Sequence, residues 1–183
     1  MKKILLVFII IFLVCLTGCE PTKSDFVVNT KFAFYKDGDK QVPFETNEFF
    51  INTKIYVCVD FDIQKNVDGI ETISFVVQIP YAEYYSTKDF YSGTVIPHEN
   101  PYEEQDQFGN VYTVMELNQM NFVISDKEIH SFSYVFEIEA NQICDFAEFK
   151  VRFKPENTNL SISVNEQNDN KAITYYTFKK NEE

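Results

Sequence analysis

The chain of 183 residues carries 28 acidic against 16 basic side chains, which gives a formal net charge of −12 at neutral pH. A negative field of this size repels phosphate backbones and anionic lipid headgroups, so nucleic-acid binding is excluded as the function. The length fits one globular domain.

The first residues have the composition of a secretory signal peptide. A cationic start, Met1-Lys2-Lys3, precedes the eleven consecutive apolar residues 4–14. That run has the length of a signal h-region, whereas a membrane-spanning helix needs about 20 apolar residues. The alternative, an uncleaved membrane helix, is disfavoured because polar residues follow from Glu20 onward.

The apolar run leads into Leu16-Thr17-Gly18-Cys19, which resembles the lipobox of bacterial lipoproteins. The resemblance covers residues 1–19. It implies that residues 1–18 are a cleaved signal peptide and that the Cys19 thiol carries diacylglycerol, whose two acyl chains anchor the protein stably. It therefore implies a partner, the membrane, and a location on the outer face of the cell membrane, or in the outer membrane of a Gram-negative source. Residues 19–25 would form a lipidated tether.

Beyond this tether, apolar and polar residues alternate with the period of half-buried strands. The clearest runs are residues 53–63, 71–80, 131–139 and 147–153, and weaker ones are 26–35, 111–117, 120–124, 160–164 and 172–178. No stretch of eleven residues holds a helical period. We therefore predict one all-β domain over residues 26–183, an antiparallel two-sheet sandwich that is immunoglobulin-like in outline. A closed barrel is the alternative.

One long irregular connection, residues 80–110, interrupts the alternation. It holds five of the eleven tyrosines of the chain: Tyr81, Tyr84, Tyr85, Tyr91 and Tyr102. Long connections are often functional and tyrosine is favoured in recognition surfaces, so these five are candidate recognition residues. The alternative is that the rings cover an end or edge of the sandwich. Within the connection, Asn100-Pro101-Tyr102-Glu103 predicts the start of a short helix.

Two cysteines remain after Cys15 leaves with the signal peptide and Cys19 is lipidated, namely Cys58 and Cys144. In an oxidising compartment they are a candidate disulfide, and two unpaired thiols are the alternative. Cys58 falls on the opposite parity from the apolar set of its strand. An immunoglobulin-type pair, in which both cysteines point into the core, is therefore not expected.

No catalytic or metal-binding motif is found in the chain, so we predict no catalytic residue, no metal and no cofactor. The two histidines, His98 and His130, match no zinc spacing. The acidic string from Asp60 to Glu71 fails the EF-hand spacing because Lys65 occupies the position of the glycine. Calcium bound by carboxylates at strand ends of a sandwich remains the alternative. A pair of carboxylates for glycoside cleavage remains open, since its geometry is three-dimensional.

Two functions of different classes follow. The first is a membrane-anchored extracytoplasmic lipoprotein that acts as a binding or interaction module for a protein or a cell-wall polymer. The alternative is a cell-envelope hydrolase that uses carboxylates at strand ends. A hydrolase should show a concave site with converging acids, whereas a binding module should show a flat face bearing tyrosines.

Overall fold

A computed structural model describes residues 23–80, 82–89, 101–105, 109, 111–167 and 169–181. These residues form an all-β sandwich of two sheets, as the alternation predicts. The strands are β1 (Phe26–Tyr35), β2 (Glu48–Phe50), β3 (Ile55–Lys65), β4 (Glu71–Pro80), β5 (Tyr85–Asp89), β6 (Tyr102–Gln105), β7 (Val111–Ile124), β8 (Ile129–Ala140), β9 (Cys144–Pro155), β10 (Ile162–Val164) and β11 (Lys171–Lys179). No helix in these ranges is long and apolar enough to cross a membrane.

The five-stranded sheet has the order β10-β1-β3-β8-β5, and the six-stranded sheet has the order β2-β11-β9-β4-β7-β6. The sheets are mixed, which corrects the antiparallel prediction. β10 runs parallel to β1, and β2 runs parallel to β11. In sequence order, β2 and β10 are each preceded and followed by strands of the other sheet. No hairpin therefore connects either strand to its neighbour in the sheet and makes the pair antiparallel. The immunoglobulin-like outline stays a prediction.

The inward-facing side chains of both sheets form one aromatic-rich core. The Phe61 ring of β3 stacks on the Phe75 ring of β4 at 5.0 Å between centroids, and it meets Phe153 of β9 at 5.1 Å. Val57 and Phe136 lie opposite each other in β3 and β8, and both are buried. The face assignment made from the alternation is therefore confirmed for these strands.

The long connection is less irregular than the sequence predicts. Its described residues contain β5, which extends the five-stranded sheet beside β8, and β6, which extends the six-stranded sheet beside β7. The predicted helix is wrong, because Tyr102 and Glu103 belong to β6. Backbone pairing with β7 satisfies these residues in extended form, whereas an isolated helical turn is marginal in water. Asn100 lies outside the described residues.

The candidate disulfide is not formed, because Cys58 and Cys144 are both free thiols. Cys58 points out of the five-stranded sheet, where its Sγ atom lies 3.4 Å from Asp60 Oδ1. Cys144 belongs to the core between the sheets. Cys58 therefore lies on the outer side of the five-stranded sheet, whereas Cys144 lies on the inner side of the six-stranded sheet, so the five-stranded sheet separates the two thiols. The outward position of Cys58 agrees with the parity argument against an immunoglobulin-type pair.

Candidate functional site

Two of the candidate recognition tyrosines pack against the core. Tyr85 at the start of β5 is buried, and its hydroxyl is hydrogen-bonded to the buried hydroxyl of Tyr176. Burial raises the pKa of Tyr85 well above its ordinary value. Tyr84 is half-buried and packs against the same core, and burial raises its pKa too. Tyr85 in particular is unavailable to a partner unless the sandwich opens.

Of the other three candidate tyrosines, the structure describes only Tyr102. Tyr81 and Tyr91 lie outside the described residues. Tyr102 lies on the outer face of the six-stranded sheet, in a polar cluster that we call the ion network. The ion network consists of Gln78 on β4, Tyr102 and Glu104 on β6, Glu116 on β7, and Lys150 and Arg152 on β9.

The strand register brings the ion network together. Gln78 on β4 lies opposite Glu116 of β7 on one side and Lys150 of β9 on the other. Alternation then places their side chains on the same face of the sheet. β6 joins the edge of this sheet with Tyr102 opposite Val114 of β7, so the side chains of β6 reach across β7 toward the centre of the sheet.

Gln78 is the hub of the ion network, with 1% of its surface exposed. Its Nε2 atom donates to Glu116 Oε1 at 2.7 Å and to Glu104 Oε1 at 3.4 Å, and it also contacts the Tyr102 hydroxyl. Its Oε1 atom is buried with no hydrogen-bond partner. The amide orientation follows from the carboxylates, because an oxygen facing Glu116 would leave two acceptors in contact.

Two cations neutralise the two carboxylates of the ion network. Lys150, which is 5% exposed, places Nζ at 2.7 Å from Glu104 Oε2. Arg152 Nη2 lies 3.0 Å from Glu104 Oε1, and its Nη1 lies 3.6 Å from Glu116 Oε1. The cluster is therefore balanced in charge. Lys150 and the two carboxylates are largely shielded from water, whereas the Arg152 side chain is 35% exposed.

Titration of the ion network follows from these contacts. Burial alone would raise the pKa of Glu104, but the hydrogen bond and charge of Lys150 and the charge of Arg152 hold it below its usual value. Burial and the neighbouring Glu116 raise the pKa of Tyr102. At neutral pH Glu104 is therefore an ionised acceptor and Tyr102 a protonated donor. The arrangement ties β6 to the sheet through Glu104 and Tyr102.

A second polar surface lies on the outer face of the five-stranded sheet, and we call it the polar face. Three neighbouring strands contribute two rows of side chains to it. The rows are Asn29, Asp62 and Ser131, and Lys31, Asp60 and Ser133. These residues line an open depression of about 460 Å³.

Hydrogen bonds fix the acids of the polar face. Ser131 Oγ donates to Asp62 Oδ1 at 2.5 Å, and Ser133 Oγ donates to Asp60 Oδ1 at 2.5 Å. Lys40 reaches in from the loop after β1 and donates to Ser133 Oγ at 2.6 Å. Burial would raise the pKa of Asp60, but the bond from Ser133 and the charge of Lys40 lower it.

The polar face remains accessible to a partner. The Asp60 side chain keeps 47% of its surface exposed, and Lys31 is also exposed. The face therefore presents carboxylate acceptors beside hydroxyl groups and an ammonium donor on rigid strands. No three His, Cys, Asp or Glu side chains lie close enough to hold a metal ion anywhere in the part of the chain that the structure describes.

Tyr102 is the one residue of the ion network that the sequence analysis predicts as a candidate site residue. Lys150 and Arg152 are recognisable in sequence as the outward residues of their strand, and outward charges are ordinarily solvated. Lys150 is nevertheless buried, and its partner Glu104 lies on β6, a four-residue strand that the sequence pattern does not reveal. The one available hint was Gln78, a polar residue within the apolar run 75–79.

Comparison with known proteins identifies no family. No family model matches the chain, and no curated protein matches it in sequence. Among solved structures, AvmM, described as catalysing macrocyclization in alchivemycin A biosynthesis, aligns over 88% of this chain and 92% of its own, with 8% identity and a TM-score of 0.48. A cohesin module from a Clostridium perfringens family 33 glycoside hydrolase aligns over 88% and 100%, with 10% identity and a TM-score of 0.37. At these values neither likeness carries an argument about function.

Proposed function

We propose that this protein is a membrane-anchored extracytoplasmic lipoprotein whose β-sandwich is a binding or interaction module. The lipobox resemblance at Cys19 supports the anchor. The open polar face on β1, β3 and β8 is the observation that carries the binding role. It differs from the flat tyrosine-bearing face predicted from the sequence, because its contact groups are carboxylates, hydroxyls and an ammonium.

The geometry of the polar face suits an extended polar partner. Its depression is open, so a protein segment or a glycan strand of a cell-wall polymer can cross it without being enclosed. Donors on the partner, hydroxyl or amino groups, meet Asp60 and Asp62, while its acceptors meet Lys31. Because the side chains project from the middle of paired strands, little ordering is needed on binding.

A cell-envelope hydrolase is the second candidate, and one observation favours it. Glu104 Oε1 and Glu116 Oε1 both accept from the same Gln78 nitrogen, so two carboxylates converge. Glycoside cleavage by an acid pair requires one carboxyl to keep its proton as the general acid. Glu104, held ionised by Lys150 and Arg152, could therefore serve as the base or nucleophile of such a pair and not as its acid. The pair ranks second to the binding role because its oxygens are already bonded within the ion network, whereas the polar face is open.

The anchor is tested by replacing the lipidated residue. Cys19→Ser should move the protein from the detergent phase to an uncleaved or released form, with the loss of the mass of the acyl chains. Unchanged processing and partitioning would refute the lipoprotein assignment. The neighbouring Thr17→Ser variant, which keeps a small residue in the lipobox, is the matched control.

The binding role is tested with a double variant of the polar face, Asp62→Ala with Ser131→Ala. Each lost hydrogen bond is worth about 1 kcal/mol, so affinity for the partner should fall about tenfold or more. Co-sedimentation with insoluble cell-wall polymer and photo-crosslinking from position 31 in intact cells measure the two partner classes separately. Glu103→Ala with Gln105→Ala, on the exposed face of β6, is the control.

The same samples decide between the two candidate functions. Equal binding by the polar-face variant and its control would exclude the polar face as the recognition surface. Release of soluble fragments from the polymer, abolished by Glu116→Gln, would establish the hydrolase instead.

A further inference from the structure

The first described residues leave the sandwich at one end, which we call the tether end. It comprises residues 23–26, the β3–β4 turn (residues 66–70) and the β7–β8 turn (residues 125–128). The N-terminal segment is held there by Asn66, whose backbone N–H donates to Asp25 O at 2.8 Å and whose Nδ2 donates to Ser24 O at 2.7 Å. Asp25 Oδ2 also accepts from the Ser161 backbone at 2.7 Å.

The most exposed large apolar side chains of the described residues gather at this end. Ile70 is 70% exposed, Val123 is 66% exposed and Ile129 is 62% exposed. Ile70 closes the β3–β4 turn, Val123 is the penultimate residue of β7, and Ile129 is the first residue of β8. These three exposed side chains thus lie around the β3–β4 turn and the β7–β8 turn.

An ion pair places the two turns side by side. Lys127 Nζ of the β7–β8 turn lies 2.8 Å from Asp68 Oδ1 of the β3–β4 turn. The other charges of the tether end are of both signs, with Asp126 hydrogen-bonded to His130 at 2.9 Å. There is no basic surplus here that would attract anionic headgroups, so any attraction to a membrane must come from the apolar side chains.

The length of the tether limits the distance between this end and the bilayer. Ser24 and Asp25 are already bound to the domain, which leaves residues 19–23 between the acylated cysteine and the sandwich. Five residues span at most about 17 Å even when fully extended. The tether end is therefore confined to the membrane surface, where apolar side chains meet the headgroup–acyl boundary at a high effective concentration.

We propose that Ile70, Val123 and Ile129 enter the bilayer interface beside the lipid anchor and fix the orientation of the sandwich on the membrane. This inference rests on the lipid anchoring included in the proposed function. It commits to a lipid surface as the occupant, because the tether brings that surface to these residues and to no other group of exposed apolar side chains. The other exposed aliphatic and phenylalanine side chains of the described residues, Val42, Phe50, Val111 and Ile143, lie toward the opposite end of the sandwich.

The chain contains no tryptophan, so a single substitution gives an unambiguous fluorescent reporter. The lipidated full-length protein carrying Ile70→Trp is reconstituted in vesicles of neutral phosphatidylcholine, and Ile143→Trp serves as the matched control. We expect blue-shifted emission and strong quenching by phosphatidylcholine with brominated acyl chains for Ile70→Trp. The Ile143→Trp control should be quenched by aqueous iodide and not by the brominated lipid.

The outcomes separate the inference from the proposed function. Loss of lipidation, seen as an unacylated mass and a failure to float with vesicles, refutes the anchor itself. Retained lipidation with identical quenching of Ile70→Trp and Ile143→Trp overturns only the bilayer contact. A blue shift that appears without vesicles and grows with protein concentration overturns it in favour of a second copy of the chain. Val123→Trp repeats the test if Ile70→Trp fails to fold by circular dichroism.

Discussion

The two outer faces of the sandwich follow the same sequence rule and have opposite physical characters. Both carry polar residues that alternate with buried apolar ones. On the five-stranded sheet the polar face stays open to water, and the Asp60 side chain keeps 47% of its surface. On the six-stranded sheet Lys150 is 5% exposed and bound into the ion network.

This contrast shows that the exposure of a charged side chain determines how much it contributes to the stability of the fold. A charge with one partner on an open face contributes little to stability, because water and salt screen the pair. A shielded charge becomes costly when its partner is removed, because an uncompensated ion is left in a poorly solvated site. Substitutions in the ion network should therefore lower the stability of the fold. Substitutions on the polar face should alter partner binding and leave the stability nearly unchanged.

The largest expected effect is the removal of the most buried cation. Lys150→Ala leaves Glu104 without its closest partner, so the free energy of unfolding should fall by about 3–5 kcal/mol. Urea denaturation followed by circular dichroism measures it. Lys31→Ala, the matched lysine on the polar face, should cost less than about 0.5 kcal/mol. Equal losses for the two lysines would contradict the comparison of the faces.

Acid should weaken the ion network. The folded pKa of Glu104 is depressed, so the native protein binds fewer protons than the unfolded chain and this carboxylate stabilises the fold at neutral pH. That contribution is complete above the ordinary carboxyl pKa of 4.5 and disappears as the pH falls through the folded value. Melting temperatures measured from neutral to acidic pH should therefore fall less steeply for Glu104→Gln than for Glu103→Gln. Identical slopes would mean that Glu104 is not paired.

A smaller effect is expected at Glu137, an outward residue of β8 that the alternation predicts to be solvated. The structure instead places its carboxylate 2.8 Å from Lys88 Nζ, 3.2 Å from Lys54 Nζ and 3.2 Å from the Tyr56 hydroxyl. Glu137→Ala should cost about 1 kcal/mol, since the two lysines are half exposed. Glu139→Ala, two residues along the same face, provides the comparison in thermal melts, and a Glu137 variant as stable as wild type would contradict the cluster.

The smallest effect concerns the thiols. Reductant should leave the melting temperature unchanged, because Cys58 and Cys144 are not bonded. Burial raises the pKa of Cys58, so alkylating reagents should label it only after unfolding. Mass spectrometry of native and denatured samples counts the labels. A mass two hydrogens lighter, or a melting point that falls on reduction, would show a disulfide.

Much of the fold could be predicted from the alternation alone. The predicted runs 26–35 and 71–80 coincide with β1 and β4. By contrast, the sequence splits β7 into 111–117 and 120–124, because a bulge changes the phase of its alternation. Leu117 pairs with Val77 and Met120 with Phe75, so two residues of β7 oppose one of β4. β7 therefore continues through the bulge, although the change of phase in its sequence pattern resembles the end of one strand and the start of another.

The short edge strands could not be predicted in the same way. β5 and β6 have too few residues to establish a period, and partners far away in the chain supply their hydrogen bonds. Tyr102 illustrates the consequence for the site. Its place in the tyrosine-rich connection made Tyr102 a candidate recognition residue. Only the pairing of β6 with β7 placed it beside Gln78 and Glu116.

The sequence by itself determined the all-β class, the inward set of β3 and the lipobox resemblance at Cys19, because each depends on neighbouring residues and their spacing. Only the packing of distant strands determined that Lys150 is buried while Asp60 stays open, and that Cys144 enters the core between the sheets. Burial depends on which distant strand covers a side chain. Alternation specifies the face of a strand on which a residue lies, and the rest of the fold specifies what meets that face.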